Sequence, residues 1–89
     1  MAALERPHEA TSAFRRVVTL DPRNGNAQKN LANALVDDRL ASEALQHAHE
    51  AVRLLPNDAG AHEVLGRALL LNGDTVGARA EFERALQLR

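Results

Sequence analysis

Asn26, Lys29, Asn30 and Asn33 recur at i, i+3, i+4 and i+7, a spacing that lays them along one stripe of a helix. Amide groups both donate and accept, so such a stripe can bond the backbone of an extended peptide in either sense, and the Lys29 ammonium can pair with a carboxylate. The other chemistry-bearing residues are less well arranged. His47 and His49 stand two apart, which on a helix turns them about 200° from one another, so they cannot chelate one ion and read as surface histidines. His62 reads as a packing residue bonded to nearby backbone, and His8 has no partner in the sequence. Asp37 and Asp38 lie side by side at a helix end and read as solvated. Ser12 and Ser42 fall in helical contexts, with neither an elbow nor a glycine-rich loop to activate them. The expectation is therefore no catalytic residue, no metal or cofactor site, and a protein that is not an enzyme.

The bulk properties narrow the class. At 89 residues the chain forms one small domain, a size at which a single core supplies roughly 3 to 5 kcal/mol of net stability. Apolar residues make up 45%, yet only Phe14 and Phe82 are aromatic, so the core must be thin layers of Ala, Leu and Val. The net charge of −1 comes from interspersed signs, which gives no pull toward nucleic acid or an anionic membrane. Without cysteine there are no disulfides or thiolate sites, and a cytoplasmic location is expected. The opening MAALERPHEA has no apolar region of the kind a secretory signal needs, and the longest apolar run, 68–71, is far too short for a membrane span.

The elements that position these residues emerge when the chain is laid on itself. At an offset of 34, Ala27, Leu31, Ala34, Leu35, Ala44, Ala51 and Leu54 fall on Ala61, Leu65, Ala68, Leu69, Ala78, Ala85 and Leu88. A partial third copy, Ala10, Phe14, Val17, Val18, Leu20 and Pro22, precedes Ala44, Ala48, Ala51, Val52, Leu54 and Pro56 by the same 34 residues. Within each copy apolar residues return every three or four places, which is the helical period. The pattern predicts five helices, at 7–20, 25–37, 41–54, 59–71 and 75–88, with residues 1–6 a tail or the remnant of a preceding helix. Pro22 and Pro56 break helices, and Asn24 and Asp58 follow as N-caps. The Asn72-Gly73 dipeptide could turn a β-hairpin, but Asp38-Arg39 occupies its place in the earlier copy and cannot form that turn. Asn72 and Gly73 are thus expected to cap one helix in the left-handed conformation, and Asp74 to open the next.

These residues resemble the tetratricopeptide repeat, a 34-residue helix-turn-helix unit. The motif reads His62-x-x-Leu65-Gly66-x-x-Leu69, then Ala78-x-x-x-Phe82, and in the earlier copy Gln28-x-x-Leu31-Ala32-x-x-Leu35, Ala44-x-x-x-Ala48 and Pro56. The half copy keeps Ala10-x-x-x-Phe14 and Pro22. Gln28 and His62 depart from the large apolar residue the family prefers, Ala48 from its aromatic, and Leu35 and Leu69 from its Tyr. The resemblance implies an all-α, right-handed superhelix of antiparallel hairpins: a half repeat at 7–24, a full repeat at 25–58, and a repeat at 59–89 without a capping helix. Ala32 and Gly66 should mark the crossing of paired helices, with Ala44 and Ala78 opposite. Leu31, Leu35, Leu65, Leu69, Ala51 and Ala85 should fill the layers.

In the family the first helix of each hairpin lines a concave groove. By resemblance the groove residues are therefore Asn26, Lys29, Asn30, Asn33 and Arg67, with Glu63 and Val64 beside them, and the partner a protein or peptide. Lys29 and Asn33 are similar to part of the family's carboxylate clamp, although Val64 stands where a clamp has Asn. A looser peptide groove and a merely solvated helix face are the alternatives. Two and a half repeats leave apolar ends, so the chain is either cut from a longer array or stacks end on end into a homo-oligomer through Phe14, Phe82 and Leu86.

Overall fold

The computed structural model describes residues 7–89. The expected tail or helix remnant at 1–6, and the side chain of His8, lie outside the described residues. Five helices follow one another: α1 (Pro7–Leu20), α2 (Gly25–Asp37), α3 (Ala41–Leu54), α4 (Ala59–Leu71) and α5 (Thr75–Gln87). No strand occurs among the described residues. Each helix packs on the next, and α2 also packs on α4, so the first helices of the two hairpins α2–α3 and α4–α5 lie side by side. This is an all-α stack of helix hairpins.

The helix starts are set by short polar side chains. Asn24 Oδ1 accepts the Ala27 N–H at 3.1 Å, Asp58 Oδ2 the Ala61 N–H at 2.9 Å, and Asp74 Oδ1 the Gly77 N–H at 2.8 Å. α3 begins differently, at Leu40, with no side-chain cap. Both hairpin turns close by one pattern, in which Leu40 N–H reaches the Leu35 carbonyl at 3.0 Å and Asp74 N–H reaches that of Leu69 at 2.8 Å. Of the two residues expected to cap α4 in the left-handed conformation only Gly73 adopts it, at φ 86°, while Asn72 stays at φ −89°, and the Asn72-Gly73 stretch joins two helices.

The repeat holds in the packing. Ala32, Leu35, Ala44, Ala48, Ala51, Ala61 and Ala68 are fully buried, and Leu31, Val64, Leu65, Ala78 and Ala85 nearly so. At the crossing of α4 and α5 a Cβ on Gly66 would lie 2.5 Å from the Phe82 ring, so only glycine fits against that ring. Phe14 is partly buried and packs against the core, and the large apolar side chains exposed on α1 are Val17 and Leu20, the latter 80% exposed.

The departures at Gln28 and His62 have a structural cause. Gln28 Nε2 donates to the Pro22 carbonyl at 2.9 Å, and its Oε1 contacts His47 Nδ1 at 2.8 Å. One repeat later His62 Nε2 contacts the Pro56 carbonyl at 2.7 Å and Nδ1 contacts Glu81 Oε1 at 2.7 Å. Both residues are buried, and a polar bridge from loop to second helix stands where a large apolar side chain would otherwise fill space. His47 is therefore half-buried and bonded; only His49 is the surface histidine expected of both.

Candidate functional site

The Asn24 cap fixes the start of α2 and so the direction in which its polar stripe points; Asp58 does the same for α4. Between the two helices lies a depression of about 520 Å³ lined by Lys29 and Asn33 from α2 and by Gly60, Glu63 and Arg67 from α4, with Asp37 at one end. Lys29, Asn33 and Arg67 are thus brought together. Asn26 and Asn30 are exposed and do not line it, and Val64 contributes only a wall, being 1% exposed.

The cations of this face are engaged within the protein. Lys29 Nζ pairs with Asp58 Oδ2 at 2.9 Å, and Arg89 Nη2 with Glu63 Oε1 at 3.0 Å. Arg67 bridges the hairpins, donating to Asn33 Oδ1 at 2.6 Å and to Asp37 Oδ1 at 3.1 Å. Asp58 is held below the usual carboxylate range, first by the Lys29 hydrogen bond and further by the Ala61 N–H. These are half-exposed pairs worth about 1 kcal/mol or less apiece, so an incoming carboxylate can compete for them.

Asp37 and Asp58 were not among the groove residues the sequence suggested. Asp37 is not merely solvated, since it holds Arg67, and Asp38 Oδ2 accepts the Thr11 hydroxyl at 3.0 Å. One signal does lie in the sequence: Asn33 and Arg67 are 34 apart, and equivalent positions on successive first helices are lateral neighbours. Behind the groove, Arg15 of α1 pairs with Glu43 of α3, and burial followed by the Arg15 charge pushes the His47 imidazole below its ordinary range. Among the described residues no group of three or more His, Asp or Glu gathers to hold a metal, and no helix is long and apolar enough to cross a membrane.

A stack of helix hairpins with a polar groove along its first helices defines a helical repeat protein of the solenoid class. The sequence matches the tetratricopeptide repeat family over residues 2–59 and 30–89, and the chain belongs to that family. It is similar to the Hsp70-Hsp90 organizing protein of Triticum aestivum, with 35% identity over 80 residues, 90% of this chain and 14% of that protein. It is also similar to the inactive TPR repeat-containing thioredoxin TTL3 of Arabidopsis thaliana, with 35% identity over 71 residues, 80% of this chain and 10% of that protein. The chain thus spans about a seventh or less of the length of these relatives.

Proposed function

We propose that this chain is a non-catalytic protein-interaction module that receives an extended segment of a partner protein in the groove between α2 and α4. The observation that carries the reading is the depression between those helices, where Lys29, Asn33 and Arg67 converge from two hairpins. Its amide and cationic groups suit a peptide backbone and an acidic side chain or terminus. The wheat relative is by its name an organizing protein of Hsp70 and Hsp90, a role consistent with holding other proteins. Replacing Lys29 and Arg67 together by Gln should weaken binding of an acidic heptapeptide with a free C-terminus while circular dichroism shows unchanged helicity. Equal affinity in wild type and variant counts against the groove.

A second reading, self-association, is favoured by one observation. At the last hairpin Phe82, Ala85 and Leu86 line a depression of about 200 Å³ rimmed by Glu63 and Arg89, and Leu86 is 67% exposed. Sedimentation over a concentration range tests it: a monomer at every concentration defeats assembly, and a dimer that Leu86→Glu dissolves supports it.

A further inference from the structure

Arg39, in the turn from α2 to α3, is the one non-glycine residue among those described with a left-handed backbone, at φ 63°. Its equivalent in the next turn is Gly73, at φ 86°. Glycine takes this conformation freely, whereas a residue with a Cβ is strained there. Folding alone favours glycine at position 39, yet the chain places a long cation there.

Arg39 lines a depression of about 520 Å³ of mixed character, in which Val36, Leu70 and Leu71 supply the aliphatic part and Asp37 and Arg67 the rest of the polar part. Leu70 is 48% exposed. Asp37 and Arg67 line both this depression and the polar one between α2 and α4, so the two are adjacent. Arg67 is already bonded to Asn33 and Asp37. The Arg39 guanidinium has no hydrogen bond or ion pair among the described residues. An unpaired guanidinium beside an aliphatic floor complements an acid beside an aliphatic side chain.

We infer that Arg39, Val36, Leu70 and Leu71 form a second subsite of the groove, which binds an aliphatic side chain and a neighbouring Asp or Glu side chain in an extended segment of a partner protein. The inference rests on the groove reading above and adds what the segment must carry. The acid is assigned to a side chain because the depression borders the polar groove at Asp37 and Arg67, which lets one extended segment reach both.

The test is a titration of the isotope-labelled chain, followed by NMR, with an acetylated and amidated octapeptide of Gly and Ser around a central Leu-Glu pair. Saturable shifts are expected at the Leu70 and Leu71 methyls and the Arg39 side-chain N–H, together with Lys29 and Asn33. Arg39→Gly should lower affinity by about tenfold, the worth of one charge-assisted contact. The same variant should melt about 4 °C higher, since glycine relieves the backbone strain. A more stable protein that binds less well cannot be explained by misfolding. Arg39→Lys should keep part of the affinity, and a peptide with Gln for Glu should lose as much as Arg39→Gly. Shifts confined to Lys29 and Asn33, or unchanged affinity in Arg39→Gly, overturn the subsite and leave the groove standing. Binding only by a peptide with a free C-terminal carboxylate overturns the side-chain assignment, and no saturable shift anywhere overturns both subsite and groove.

Discussion

The two hairpins answer the same geometric demands with different residues. Where α2 crosses α3 the positions are filled by Ala32 and Ala48, both fully buried; where α4 crosses α5 they are Gly66 and Phe82, the ring lying where a Cβ would go. The polar bridge is Gln28 with His47 in one hairpin and His62 with Glu81 in the other, and both reach back to a proline carbonyl. What repeats is a close helix crossing and a polar bridge to a proline carbonyl, not a set of side chains. The bridges also differ in their acceptors. Both ring nitrogens of His62 face oxygen acceptors, Glu81 Oε1 and the Pro56 carbonyl, whereas Gln28 donates to one partner through Nε2 and meets the other through Oε1.

The largest break in this equivalence is expected at the layer leucines. Leu35 is fully buried in the core cluster, whereas its counterpart Leu69 is only partly buried against it. Leu35→Ala should cost about 2 to 5 kcal/mol. Leu69→Ala should cost clearly less, and urea denaturation of the two variants compares them directly.

Next comes the crossing pair. Gly66→Ala forces a methyl to within 2.5 Å of the Phe82 ring and should cost about 1 to 3 kcal/mol. The double variant Gly66→Ala with Phe82→Ala installs the pair of the other hairpin, so its cost should fall short of the sum of the single costs. Strict additivity would mean that the two positions do not share one space.

The bridge can be exchanged in the same way. His62→Gln or Glu81→His alone leaves a buried polar group mismatched, at about 1 to 3 kcal/mol. Together they recreate Gln28 and His47, and thermal melts should show the double variant more stable than either single one.

The smallest effects are in pH. His47 is held below its ordinary value of 6.5, chiefly by burial, so the unfolded chain takes up a proton more readily there than the folded one. Its contribution is present above pH 6.5 and is lost as pH falls through the folded value. Asp58 is also lowered, from 3.8, so what it adds is present above that pH and disappears on further acidification. In acid titrations followed by circular dichroism, His47→Gln should remove the first loss and Lys29→Gln should shrink the second.

Much of this was legible in the sequence. The 34-residue offset locates all five helices, and the short polar residues after Pro22 and Pro56 mark two of the caps. Small residues at 32, 44, 66 and 78 announced the close crossings. The bridges were not seen, because Gln28 to His47 and His62 to Glu81 are spans of 19 residues that neither helical periodicity nor the family pattern singles out. Linear spacing presents Lys29 and Arg67 as available cations, but their partners Asp58 and Asp37 come from a helix cap and a helix end that spacing alone does not bring to them. Arg39 was hidden for a different reason: arginine gives no hint of a left-handed turn, and only the alignment with Gly73 exposes it.

Asp58 has one further consequence. The same oxygen that receives Lys29 also receives the Ala61 amide proton, so the two occupants share one acceptor. A ligand that draws Lys29 away concentrates that oxygen's charge on the amide, and the solvent-exchange rate of Ala61 becomes an internal gauge of groove occupancy. Engagement could thus be read from a single backbone resonance, with no label on the ligand.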